Sequence, residues 1–169
     1  PAASNPQMVE QLSKYVGQPL ALLRVDSKGR VVEVKQSQFG PESRFESELP
    51  FILVLPDNPT GQGQMWERNY AVTLEPQGDK PLQKFDAVQK YVCQKAGDGT
   101  ATVRLTTGLK SPPEAAADQM PLLDVQPEGE VVFDPETGRL RSARLKIDRE
   151  LTGHEGEGST YRFQSTYTE

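Results

Sequence analysis

The sequence predicts an α+β chain that is mostly β: a curved antiparallel β-meander of about seven to nine strands with one N-terminal amphipathic helix packed on it. Three observations lead there. Short runs of alternating apolar and polar residues recur along the chain, as in Ala101-Thr102-Val103-Arg104-Leu105. Asp and Gly clusters fall between those runs, where hairpins must turn. Only one segment, near the start, carries apolar residues at helical spacing between a cap and a stop.

That segment opens on Asn5 as N-cap and Pro6 at the first helical position, places Met8, Val9, Leu12, Tyr15 and Val16 on one stripe, and stops at Gly17. Such a stripe must cover something apolar, and the next segments read as sheet. Residues 20–36 form two strands, LALLRV and RVVEVKQ, joined by Asp26-Ser27-Lys28-Gly29. Acids and Ser between Phe39 and Leu49 suggest an exposed connector. After it comes PFILVLPDNPTGQGQMW, in which Val54 and Leu55 can dock only as an edge segment because the flanking Pro residues exclude a central strand.

Trp66, Tyr70, Val72 and Leu74 then alternate with polar neighbours, interrupted by Arg68. Phe85, Ala87, Tyr91 and Cys93 share one parity and lead through Gly97-Asp98-Gly99 into ATVRLTTGL, which makes a hairpin. Ser111-Pro112-Pro113-Glu114 is compatible with a loop or a single helical turn. In the last third, Ala143, Leu145, Ile147 and Leu151 alternate with charged residues, and Tyr161, Phe163 and Tyr167 alternate with polar ones, so both strands have one wet face. Leu140 has the opposite parity to Leu145, which requires an overhanging hairpin tip or a bulge near Ser142.

VVFDPETGRLRSARLKI repeats the arrangement of the first hairpin. Val25-Asp26 and Gly29-Arg30 match Phe133-Asp134 and Gly138-Arg139 in the order apolar, Asp, turn, Gly, Arg, apolar. An Asp that bonds its own backbone two residues on, followed by Gly, is turn chemistry, and one active site would need only one copy. Both copies are therefore read as architecture. The charges around the second copy are uneven: acids run from Glu114 to Glu136 with no Lys or Arg between Ser111 and Gly138, and Arg139, Arg141, Arg144, Lys146 and Arg149 come directly after. Acidic and basic strands facing each other across a hairpin account for this.

The 169 residues suit a single domain, 1–169, with 1–5 a flexible start. Beginning Pro-Ala-Ala-Ser-Asn without Met, the chain is expected to be a processed product or the C-terminal part of a longer exported protein. A mean hydropathy of -0.62 is low for a compact fold, yet the aromatic residues can anchor a core. A formal charge of -5 argues against nucleic acid and anionic membrane surfaces as partners, and no apolar run is long enough for a transmembrane segment.

Cys93 is the sole cysteine, so it has no internal disulfide partner and is expected to be a half-buried strand residue. His154, in GHEGEGST beside Glu155 and Glu157, is expected in a solvated hairpin loop, because zinc draws three or four ligands with orienting partners. Gly61-Gln62-Gly63 precedes Trp66 and no helix, so it cannot cradle phosphate as a loop-to-helix motif does. No catalytic residue, cofactor or metal is expected.

The helix, the VDSKGRVVEV hairpin, the LPDNPTGQGQMW loop and the GEVVFDPETGRL hairpin, in that order, resemble exported bacterial β-rich domains of unknown function, lipoprotein-like in character. The resemblance covers nearly the whole chain. It implies an extracytoplasmic location, in the periplasm or on the cell surface, and no catalytic residues to carry over. The expected function is a non-enzymatic binding or scaffolding domain whose partner is a protein or cell-envelope component. The alternative is a carrier of an apolar ligand, a lipid or lipoprotein acyl chain, lined by Leu12, Tyr15, Val16, Trp66, Tyr70, Leu145, Ile147 and Phe163. A carboxylate-based hydrolase is the least favoured reading.

Overall fold

The Asp98-Gly99 pair turns the chain between two neighbouring strands that contribute to the core, β4 (Gln83–Gly97) and β5 (Thr100–Leu109). Both residues have positive φ, 53° and 72°, as a two-residue type I′ hairpin turn demands. The computed structural model describes residues 13, 14, 16–19, 21–38, 53–58, 60–74, 76 and 81–169. Among them are eight strands in two sheets. A hairpin of β1 (Ala21–Val25) and β2 (Val31–Ser37) stands apart from a six-stranded antiparallel meander. The meander runs in sequence order through β3 (Met65–Leu74), β4, β5, β6 (Glu128–Asp134), β7 (Arg139–Thr152) and β8 (Thr160–Thr168). The expected strand number and meander are therefore present, although β1 and β2 do not join the main sheet. Most of the expected N-terminal helix, including Leu12 and Tyr15, lies outside the described residues.

Alternation builds a one-faced sheet. Val72, Ala87, Tyr91, Val103, Leu105, Val131, Ala143, Leu145 and Ile147 are buried, while the residues between them are largely exposed. Two apolar clusters form on this face. One gathers Tyr91, Leu105, Val131 and Leu145 under Val54; the other gathers Val72 and Ala87 under Leu122 and Val125. Leu122 and Val125 come after a single helical turn, α1 (Ala116–Gln119), which runs on as a 3-10 turn over Met120–Leu122. Between the clusters lies a cross-strand row of Arg68, Gln89 and Thr107. Gln89 is fully buried and accepts the Tyr91 hydroxyl at 2.8 Å. Arg68 does not break β3 but lies 4.8 Å over the Tyr70 ring.

The parity conflict at Leu140 resolves as a bulge. Val132 pairs with Ser142 and Phe133 with Leu140, so Arg141 is the extra residue on β7. Its Nε donates to Asp134 Oδ2 at 3.0 Å. Asp134 Oδ1 accepts the backbone N–H of Glu136 and of Thr137, each at 3.0 Å, and Gly138 closes the turn at φ 67°. The first hairpin repeats this chemistry: Asp26 Oδ1 accepts the N–H groups of Lys28 at 2.8 Å and Arg30 at 2.9 Å, and Gly29 has φ 83°. Both Asp-Gly copies are therefore turns.

On the wet face, Glu130 pairs in register with both Arg104 and Arg144, and Glu128 lies 3.4 Å from Lys146. The uneven charge of the sequence becomes a cross-strand ladder of opposite signs.

Candidate binding groove

Four separate pieces of chain meet beside the first apolar cluster. The tip of the β1–β2 hairpin supplies Ser27 and Lys28, and the extended segment 53–58 supplies Leu55, Pro56, Asp57 and Asn58. The β4–β5 turn and the end of β6 close the other sides with Thr100 and Phe133. Together they enclose a groove of about 630 Å³. This is within the usual size of small-molecule sites, roughly 300–1,000 Å³.

The segment 53–58 is seated by its own hydrogen bonds. Val54 is buried in the first cluster, and its carbonyl accepts Trp66 Nε1–H at 2.7 Å. Leu55 donates its N–H to the Lys28 carbonyl at 2.8 Å. Asp57 then bridges to the hairpin: Lys28 Nζ donates to Asp57 Oδ1 at 2.7 Å and Arg30 donates to the same oxygen at 2.9 Å. Lys28 first, and Arg30 with it, hold the Asp57 carboxyl below its ordinary value. The Pro residues that exclude a regular strand here thus leave an extended segment whose hydrogen bonds go to the hairpin turn and to Trp66.

The inner wall is apolar. Trp66 stacks on Tyr91 with ring centroids 5.2 Å apart and planes 11° from parallel, which fixes the indole where it borders the groove. Burial pushes the Tyr91 phenol up to about 12, so it remains a neutral hydrogen-bond donor. Val103 and Ala101 line the wall beside Trp66, with Cys93 next to them. Cys93 is buried, at 3% exposure, where the sequence suggested half-burial, because the groove wall and the neighbouring strands enclose it. Polar groups are concentrated toward the hairpin and the 53–58 segment. Asp57 is the one carboxylate among the described lining residues, and two cations already bind it.

Of the eight residues expected to line an apolar cavity, the structure brings Trp66 to the groove. Leu145 is buried in the first cluster and Ile147 on the same sheet face, while Tyr70 packs with the second cluster. Phe163 is half-buried on β8, and Val16 is 80% exposed. Leu12 and Tyr15 lie outside the described residues. Phe133, Val103 and Leu55 were missed: nothing local distinguishes them from core, and only the docking of distant turns makes them a wall.

A second concavity, of about 420 Å³, lies on the wet face among Arg104, Glu128, Glu130, Arg144, Lys146 and Thr166. Its three cations and two carboxylates oppose each other in register, so most of its charge is neutralised internally. His154 sits in the β7–β8 loop, half-buried, with its ring 5.6 Å from Tyr161. Among the described residues no group of three or more His, Cys, Asp or Glu is placed to hold a metal, and no helix is long and apolar enough to cross a membrane. No family model, curated protein or solved structure matches this chain.

Proposed function

We propose that the chain is a non-enzymatic binding module that seats an apolar group, such as an acyl chain or an aromatic side chain of a partner, in the groove beside Trp66. The observation that carries this is the composition of the groove: an apolar wall of Trp66, Val103 and Phe133, with its cations and its carboxylate engaged with one another at the rim. Binding is favoured over carboxylate hydrolysis because glycoside hydrolysis needs two carboxyl groups across one bond. In this reading the protein works outside the cytoplasm, on the strength of its resemblance to exported domains.

Trp66 is the only tryptophan, so it reports on the groove directly. Titration with a medium-chain fatty acid is expected to shift Trp66 emission saturably, and native mass spectrometry is expected to show one bound molecule per chain. Phe133→Glu, which puts a charge into the wall, should abolish the shift while the circular dichroism spectrum stays unchanged. No emission change with fatty acids or with aromatic probes, in a folded protein, would overturn the proposal.

A further inference from the structure

We propose that β8 is the pairing edge of a symmetric homodimer, joined to β8 of a second copy as an antiparallel ribbon with Gln164 on the two-fold axis. The hydrogen-bond phase of β8 is set at both ends. Glu169 exchanges both backbone bonds with Ala143 at 3.0 Å, and Gly153 N–H donates to the Ser159 carbonyl at 2.7 Å. Since bonded pairs alternate along an antiparallel ladder, the odd residues of β8 bond to β7. Thr160, Arg162, Gln164, Thr166 and Thr168 therefore direct N–H and C=O away from the sheet, and all five are exposed.

Edge strands are normally blunted by Pro, Lys, a bulge or an inward charge. None of these devices is present in β8. Its register with β7 is unbroken from Thr160 to Thr168, and it contains neither Pro nor Lys. Its one charge, Arg162, is held by the Asp148 carboxylate at 2.9 and 2.8 Å on the wet face.

The strand is complementary to itself in only one phase of this kind. With Gln164 opposite Gln164, Arg162 faces Thr166 and Thr160 faces Thr168, so every outward-pointing backbone group meets a partner and no like charges are opposed. The odd residues then form the closer, non-hydrogen-bonded pairs. Tyr161 meets Tyr167 and Phe163 meets Ser165, which places aromatic residues of one copy against those of the other and continues the apolar face across the axis. The contact is isologous and closes at two copies, whereas β8 on β3 of the next copy would grow head to tail.

Sedimentation of the 169-residue chain over a concentration series is expected to reach twice 18.7 kDa. Gln164→Pro removes the N–H at the axis and the side-chain bond to Asp148 but no backbone bond to β7, and should weaken the dimer roughly tenfold or more with the fold retained. Gln164→Lys, which keeps the backbone intact, opposes two ammonium groups and should give monomer at low salt and dimer again at high salt. Gln164→Cys should crosslink on oxidation, because hydrogen-bonded partners lie about 5.5 Å apart at Cα, within disulfide reach. Thr160→Cys should not. A chain that stays monomeric throughout, open-ended oligomers, a dimer indifferent to both Gln164→Pro and Gln164→Lys, or equal crosslinking at position 160 would each overturn the proposal.

Discussion

Gly129 offers the sharpest test of the fold. It lies in β6 in a cross-strand row with Leu105 on one side and Leu145 on the other, at φ 155°. A Cβ built there would fall inside the van der Waals shell of the Arg144 carbonyl oxygen and 2.9 Å from Leu145 Cα. Both neighbours are backbone, so no rotamer change relieves the contact. Gly129→Ala must therefore force β6 away from β7 in the middle of the first apolar cluster. A backbone conformation that L-residues rarely adopt costs about 1–3 kcal/mol. Overpacking of a close contact costs about another 1–3 kcal/mol. At roughly 2–4 °C per kcal/mol for a domain of this size, the sum corresponds to a loss of about 4–24 °C in Tm. Thermal and urea unfolding followed by circular dichroism would measure it, with Gly108→Ala as the control. At Gly108 an added Cβ meets nothing within 4 Å, so that variant should hold or raise Tm. If Gly129→Ala unfolded within about 2 °C of the parent, the close approach of β6 and β7 would be wrong.

Three further outcomes rest on named contacts. The Thr137 N–H, then Arg141, hold the Asp134 carboxyl at about 2, below its ordinary 3.8; this stabilisation is complete above that ordinary value and disappears as pH falls through about 2. The Tm difference between the parent and Asp134→Asn should therefore be constant at neutral pH and shrink between about pH 4 and 2; a difference independent of pH would refute the assignment. Gly138→Val, at φ 67°, should lower stability by about 1 kcal/mol or more and leave fatty-acid binding per folded molecule unchanged; impaired binding at full stability would make this hairpin a site. Asp57→Ala should release segment 53–58 from the hairpin, seen as faster hydrogen exchange at the Leu55 amide and weaker ligand binding, with the exchange of β4 and β5 amides unaltered.

The sequence alone determined whatever is settled within a few residues of itself. Asp26 with Gly29, and Asp134 with Gly138, could be read as turns because an Asx side chain and a positive φ satisfy local backbone groups whatever the rest of the chain does. Alternation set which side of β4, β5 and β7 is buried, since a one-residue slip would move every side chain to the other face. The Leu140 parity conflict announced the bulge but could not say that Arg141 would be its extra residue or that its guanidinium would reach Asp134. Tertiary structure decided the rest. Leu145 and Phe133 look alike in a pattern of alternating residues, yet one is core and the other borders the groove, because two distant turns and the segment held by Asp57 dock around only one of them. Gly129 carries no local mark either. Its lack of a side chain matters only because the backbone of β7 approaches it, and a backbone contact between strands is invisible in the order of the residues that make it.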